Sequence, residues 1–326
     1  MDNIRWGILG PGNIARSFSQ GLSVLDDAEI VAVGSRSAER AAAFGEQYGV
    51  RRRYASYEAL ANDPDVDVVY VATPHPFHKE HSLLCLRAGK PVLCEKPFTL
   101  NAADTAEVIA LARERRLFLM EAIWTRFLPH IVKLRQLIAE GAIGEVRQVR
   151  ADFSFRAEID PQSRLFDPAL GGGALLDVGI YPVSLVAMLL GAPADIVSLA
   201  QLGTTGVDEQ AGIVMRYDGG RLAVLTTAIR TSSPHEALML GTTGHIKVHD
   251  AWWKPSALTL VRDGKPEQPI DVPAVGNGYN YEAAEVMRCL REGRTESEIM
   301  PLDESLAIMR TLDAIREQWG LRYPGE

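Results

Sequence analysis

The stretch Ile4-Arg5-Trp6-Gly7-Ile8-Leu9-Gly10-Pro11-Gly12-Asn13-Ile14-Ala15 decides the fold. Ile4 to Leu9 is an apolar run of strand length that ends in a glycine turn. Beyond the turn, Ile14, Phe18, Leu22 and Leu25 recur with helical spacing. Strand, GxGxxA turn and helix in that order form a dinucleotide-binding fingerprint. Gly10 permits the tight turn. Gly12 has no Cβ, so a pyrophosphate can approach the backbone. The helix start offers free N–H groups and the positive end of a dipole. Gly10, Pro11, Gly12, Asn13 and Ile14 are therefore expected to bind the cofactor.

Glu29 to Val33 is a second strand, tipped by Gly34-Ser35-Arg36 with Arg40 one turn on. An NAD site usually places a carboxylate at this tip, on the ribose 2′-hydroxyl. A hydroxyl and guanidinium groups suit a 2′-phosphate instead, so NADP is expected, with NAD as the alternative. Arg36 and Arg40 as solvated charges near Glu39 is the competing reading. Arg51-Arg52-Arg53 reads as a solvated loop.

Val66 to Ala72 is a further strand, ending in Thr73-Pro74-His75-Pro76-Phe77-His78. Thr73 and Pro74 are expected along the nicotinamide ribose. His75 and His78 join the cofactor side, although His78 also reads as a helix-start residue with a structural hydrogen bond. Val92-Leu93-Cys94-Glu95-Lys96-Pro97 then delivers Lys96 to the C-terminal edge of a parallel sheet, where ligands bind. Glu95 reads as a cofactor-side or structural partner. With Asn101 capping the next helix and a strand at Leu117 to Ala122, residues 1–123 read as a Rossmann doubly wound parallel sheet, an α/β domain. The C-terminal helix is expected to pack back on it.

After Phe127 the pattern changes. A helix (Leu128 to Glu140) gives way to period-two strands at Val146 to Phe155, Ile196 to Leu202, Gln210 to Arg216, Gly220 to Ile229, His235 to Gly241 and Gly244 to Asp250. Short turns between them imply a large, mostly antiparallel open sheet in a C-terminal α+β domain, residues 124–326. A buried helix interrupts it (Ala174 to Leu190), and helices at Tyr281 to Glu292 and Leu302 to Trp319 close the chain.

Before that buried helix stands Leu170-Gly171-Gly172-Gly173-Ala174-Leu175-Leu176-Asp177-Val178-Gly179-Ile180-Tyr181-Pro182. The glycines imply bare backbone close to cofactor or substrate. Asp177 and Tyr181 share a helix face, and a carboxylate and phenol in an apolar helix need polar partners. Both join Lys96 as catalytic candidates, against the alternative of Tyr181 in the core and Asp177 on loop backbone.

Composition excludes other classes. The chain has 326 residues, 47% hydrophobic and 23% charged, with a net charge of -8, which argues against a nucleic-acid partner. Cys85, Cys94 and Cys289 are widely spaced, so neither a disulfide framework nor a metal site is expected. With no signal peptide and no apolar run of the ~18 residues a span needs, a cytoplasmic location away from membranes is expected.

Gly10-Pro11-Gly12, Glu95-Lys96-Pro97 and Asp177-Val178-Gly179-Ile180-Tyr181 together resemble the glucose-fructose oxidoreductase/inositol dehydrogenase/rhizopine-catabolism (Gfo/Idh/MocA) family over nearly the whole chain. Many members carry His where this chain has Tyr181. The Tyr form, with Met120-Glu121-Ala122-Ile123-Trp124-Thr125-Arg126-Phe127 and the tail Gly320-Leu321-Arg322-Tyr323-Pro324, resembles the branch of dimeric dihydrodiol and NADP-dependent D-xylose dehydrogenases. The resemblance implies hydride transfer between nicotinamide C4 and a sugar or vicinal diol carbon. It makes Lys96 and Tyr181 the catalytic pair and puts Asp177 in the substrate pocket. It also implies a homodimer, or a tetramer, formed through the C-terminal sheet.

A free phenol, with a pKa near 10, is a poor base at neutral pH, and a nearby ammonium favours its ionised form. Tyr181 is accordingly assigned as acid/base and Lys96 as its electrostatic partner, with exchanged roles left open. Trp124 and Arg126 are expected beside cofactor, and Trp124, Phe153, Arg164 and Phe166 around substrate. Phe127 and Phe155 are further pocket candidates, and the loop Glu158 to Asp167 is expected to cover the site. A keto-sugar or dicarbonyl reductase with the same site is one alternative. A non-catalytic nucleotide-bound sensor, which would not need Lys96, Asp177 and Tyr181 together, is another.

Overall fold

The structure, a computed structural model, describes residues 3–326. Its helices are α1 (Asn13–Leu22), α2 (Ala38–Tyr48), α3 (Tyr57–Ala61), α4 (His78–Arg87), α5 (Ala102–Arg115), α6 (Pro129–Ala139), α7 (Ile180–Leu190), α8 (Tyr279–Arg291) and α9 (Leu302–Gln318). Strands β1 (Ile4–Leu9), β2 (Ala28–Gly34), β3 (Arg52–Tyr54), β4 (Val68–Val71), β5 (Val92–Glu95) and β6 (Leu119–Ala122) form one sheet. A second comprises β7 (Val146–Ser154), β8 (Asp195–Leu202), β9 (Asp208–Tyr217), β10 (Arg221–Ala228), β11 (Ala237–Gly241), β12 (Gly244–Val248), β13 (Leu258–Arg262) and β14 (Gln268–Ile270). The chain divides into two compact units, Met1–Trp124 with Val275–Leu306, and Thr125–Ala274 with Ala307–Glu326.

In the first unit the sheet is parallel and ordered β3-β2-β1-β4-β5-β6, the doubly wound order. Every residue of β4, β5 and β6 is buried, as expected for strands covered on both faces. Local signals fix the helix starts. Ser37 Oγ accepts from Arg40 N at 3.2 Å, Ser56 Oγ from Ala59 N at 3.1 Å and Asn101 Oδ1 from Asp104 N at 2.8 Å.

Arg51-Arg52-Arg53 is not simply a solvated loop. Arg52 and Arg53 belong to the edge strand β3, paired in parallel with β2. Arg52 reaches Asp63 at 3.3 Å and also bonds Asp65, while Arg53 Nε donates to Val50 O at 2.9 Å. The strand was hidden because it is three residues long and two of them are cations, too few for a period of two to show.

The second unit carries a sheet ordered β14-β13-β12-β11-β7-β10-β9-β8, antiparallel throughout except for the parallel pair β7 and β10. β13 and β14 had no counterpart in the sequence reading, being short and beyond the irregular Trp252–Ser256 segment. Residues of β9 alternate buried and exposed, so one sheet face is core and the other is open. Val197, Leu199, Val214 and Leu222 are exposed, Leu199 by 82%.

The buried helix also differs from expectation. Leu175–Gly179 is a π turn, and only from Ile180 does α7 run regularly. Such turns widen the helix by one residue and frequently occur at functional sites. The segment Pro168–Leu190 is, against the sequence expectation, long and apolar enough to span a bilayer, but 83% of its most apolar window is buried inside the protein, as in a core helix.

Candidate active site

In the first unit, Gly10 has φ +92°, and a Cβ there would lie 2.9 Å from Thr73 Cγ2. The turn is pinned by Gly10 N donating to Gly34 O at 3.0 Å and Gly12 N to Gly10 O at 2.8 Å. Gly12 differs: its φ is -89°, and a Cβ would meet nothing within 4 Å. It is the N-cap of α1 and supplies no side-chain cap. An open space in front of uncapped helix N–H groups fits an anionic pyrophosphate. Asn13 is exposed and Ile14 half-buried beside it, and Pro11 is half-buried within the turn.

At the β2 tip, Ser35 is buried, and its hydroxyl accepts from Ser37 N at 3.1 Å. Arg36 and Arg40 are exposed. The Arg36 guanidinium lies 5.6 Å from the Phe77 ring centroid. Glu39 accepts from the Ser37 hydroxyl at 2.7 Å, which gives that carboxylate a local partner other than Arg36. The tip therefore offers the Arg36 and Arg40 guanidinium groups as donors suited to a phosphate.

Thr73 and His75 are buried and Pro74 is exposed. Thr73 Oγ1 bonds His81 Nδ1 at 3.0 Å and packs toward Gly10, so its side chain faces the fingerprint turn. His78 does not face a cleft. It is 1% exposed, with Nδ1 at 2.7 Å from Pro97 O and Nε2 at 2.6 Å from Thr73 O. Burial lowers its pKa to about 4, against two carbonyls that favour protonation. It is a cross-link between the end of β4 and the turn after β5, and the structural reading of this residue is the better one.

That turn carries Lys96, and Lys96-Pro97 is cis. Glu95 is 5% exposed. It accepts from the Tyr70 hydroxyl and, at 3.1 Å, from Lys96 N. Glu121, fully buried, accepts from Phe98 N at 3.0 Å. With His78 on Pro97 O, the backbone around Lys96 is held at three points, and Glu95 is a structural partner of the turn. Buried Glu282 has its carboxyl pushed well above the usual range by burial and by Glu95. Trp124, 5% exposed, stacks on Tyr279 at 4.4 Å and 11°.

In the second unit, Asp177 and Tyr181 are 5% and 7% exposed. Arg164, half-exposed, reaches back from its loop to Asp177 Oδ1 at 2.9 Å. Phe153 lies 5.3 Å from the Tyr181 ring and stacks on Trp253 at 3.4 Å and 14°, with His235 against Trp253 at 4.7 Å. Trp253 and His235 were missed in the sequence. The Trp252-Trp253 pair was the available signal, but only folding carries it to Phe153. Arg126, expected at the cofactor, is 2% exposed and donates to Ser184 Oγ at 3.1 Å and Ser184 O at 3.2 Å, which ties down α7 close to Tyr181.

Two expectations are corrected here. Phe166 does not line a pocket: it is 1% exposed and packs with Ala174, Val178, Val207 and Ile229 in a small core. The glycine run approaches the protein itself. A Cβ on Gly172 would sit 2.8 Å from Leu165 O, and one on Gly173 would sit 2.1 Å from Asp208 Oδ1. Phe155 packs against the same small core. No group of three or more potential metal ligands exists among the described residues.

Residues 4–123 match the model of the GFO/IDH/MocA oxidoreductase family with NAD-binding Rossmann fold, and residues 131–247 match its C-terminal domain. The chain is 40% identical to a trans-1,2-dihydrobenzene-1,2-diol dehydrogenase of Xenopus tropicalis, over 98% of this chain and 99% of that protein. Among solved structures, an aldose-aldose oxidoreductase from Caulobacter crescentus complexed with glycerol superposes with a TM-score of 0.90 at 27% identity, covering 98% of both chains. KijD10, a 3-ketoreductase from Actinomadura kijaniata in complex with NADP and TDP-benzene, superposes with a TM-score of 0.87 at 28% identity, covering 97% of this chain and 98% of that one.

Proposed function

The chain belongs to the GFO/IDH/MocA oxidoreductase family, and from that premise we propose that it is an NADP-dependent dehydrogenase of vicinal diols or sugars, of the trans-dihydrodiol or aldose type. The observation that carries the reading is the buried phenol–carboxylate pair, Tyr181 and Asp177, in the helix that opens with a π turn. The NADP preference is supported by the strand tip Gly34-Ser35-Arg36, which carries a guanidinium where an NAD site carries a carboxylate, and by the NADP-bound ketoreductase neighbour.

A nicotinamide cofactor, which the Gly10–Gly12 turn and the Ser35–Arg36 tip would hold, would supply the hydride acceptor or donor at C4. Tyr181 takes the substrate hydroxyl proton as the carbon loses hydride, and returns it in the direction of carbonyl reduction. Lys96 supplies the positive charge that makes a phenol usable as a base near neutral pH. Asp177 accepts a hydrogen bond from a second substrate hydroxyl, which suits a diol or sugar. Reduction of a keto-sugar by the same groups is the same reaction reversed. Subunits associate through the open face of the second sheet, where Val197 and Leu199 are exposed. The free, buried Cys85, Cys94 and Cys289 support a reducing, cytoplasmic location.

The test is nicotinamide absorbance with NADP and NAD in parallel, over trans-1,2-dihydrobenzene-1,2-diol, aldoses and dicarbonyls. Turnover with NADP is expected, and Tyr181→Phe should lower kcat by roughly 10²- to 10⁴-fold while NADPH binding stays close to that of the unaltered protein. Near-normal turnover in that variant would sink the assignment, and inactivity across the whole panel would favour a sensor.

A further inference from the structure

The helix carrying Asp177 and Tyr181 starts without a local cap: Ala174 occupies the N-cap position and has no side-chain hydrogen bond to offer. The missing acceptor comes from far along the chain. Asp208, the first residue of β9, is fully buried, and its Oδ2 accepts from Leu175 N at 2.7 Å. Its Oδ1 has no hydrogen-bond partner among the described residues and lies where a Cβ of Gly173 would be, at 2.1 Å. Gly173, at φ +113°, is thus the residue that lets the carboxyl in. The same turn is tied from the other side by Tyr323 of the C-terminal tail, whose hydroxyl donates to Gly172 O at 2.8 Å, and Thr227 Oγ1 donates to Ala174 O at 3.4 Å. Burial pushes the Asp208 carboxyl up to about 7, against the backbone N–H groups of Leu175, of Asp208 itself and of Ala174 that lower it.

A buried acid with one orphan oxygen costs folding energy. An apolar residue at this position would need no partner, so the group has a use beyond filling space. We propose that Asp208 is a positioning residue, which holds the π turn open and thereby sets where Asp177 and Tyr181 stand, with Tyr323 bracing the glycine turn from behind. Asp208 touches neither substrate nor cofactor in this role. The inference rests on the reading of Tyr181 as acid/base.

The experiment compares Asp208→Ala, Asp208→Asn and Tyr323→Phe with the unaltered full chain. NADPH binding is followed by its fluorescence, turnover with NADP and trans-1,2-dihydrobenzene-1,2-diol by absorbance, and amide exchange over residues 174–185 by mass spectrometry. Loss of a cap corresponds to about tenfold faster exchange in that segment for Asp208→Ala. A drop of about tenfold in kcat is expected with it, while NADPH affinity and diol KM stay within about twofold. Asp208→Asn, which keeps an acceptor for Leu175 N, should restore most of the loss. Tyr323→Phe should shift both readouts in the same direction by less.

Unchanged exchange and kcat in Asp208→Ala overturns the proposal. So does a parallel fall in turnover and NADPH affinity, which marks general loosening. If Asp208→Ala does not fold, unchanged exchange and kcat in Tyr323→Phe overturn it equally. If the unaltered protein turns over neither this diol nor any member of the panel, the functional reading has failed, and the exchange measurement still decides what Asp208 does.

Discussion

Replacing Gly12 with Ala separates the fold from the cofactor site. A Cβ at this position meets nothing within 4 Å, and φ is -89°, a value open to any L residue. The methyl restricts the unfolded chain, a gain of about 0.4–1 kcal/mol, and weakens an N-cap, a loss of similar size. Stability should therefore stay within about 0.5 kcal/mol of the unaltered protein. Binding should not. The methyl stands in the space the pyrophosphate must enter, so about two charge-assisted hydrogen bonds to the α1 N-terminus are lost or lengthened, each worth roughly 1.5–3 kcal/mol. A loss of about 3–4 kcal/mol raises the NADPH Kd by roughly 10²- to 10³-fold.

Gly10→Ala is the control of opposite sign. At φ +92° and 2.9 Å from Thr73 Cγ2, it should destabilise the fold by roughly 1–3 kcal/mol. Urea unfolding and NADPH fluorescence titration measure both quantities. If Gly12→Ala binds NADPH within about threefold of the unaltered protein, the pyrophosphate does not approach here and the reasoning fails.

Arg36→Ala should raise the Kd for NADPH by roughly 10- to 100-fold and leave that for NADH nearly unchanged; equal effects on both would refute the 2′-phosphate role. Arg164→Ala frees Asp177 of its ion pair at 2.9 Å; KM for a diol should change by several-fold with NADPH affinity intact, and a change confined to NADPH would contradict the placement. Burial, and then the charge of Arg36, lowers His81 to about 4. Its contribution to stability is complete above the ordinary value near 6.5 and is lost as pH falls through about 4, so His81→Gln should flatten the urea midpoint between those values. Leu199→Lys, on the open sheet face, tests the proposed association: the unaltered protein should scatter light as an oligomer and the variant as a monomer, with the same far-ultraviolet circular dichroism. An unaltered oligomer would place the interface elsewhere.

The sequence alone determined the parallel sheet, the fingerprint turn, the carboxylate-free tip at Ser35 and Arg36, and the placing of Lys96 after a strand. These are written in short-range spacings: a period of two or 3.6, a glycine where a Cβ would clash, a capping Asn101. It also carried Asp177 and Tyr181 onto one helix. Tertiary structure decided what those residues lean on. His78 serves the Lys96 turn because Pro97 folds back to it, 19 residues along the chain. Phe166 became core and Arg126 a tie to α7, since hydrophobicity and charge do not say which neighbours arrive. Asp208 caps a helix 33 residues before it, a pairing made by strand and loop placement and by the gap left at Gly173. Helix starts capped from nearby are legible in sequence; a start capped from another strand is visible only once the chain has folded.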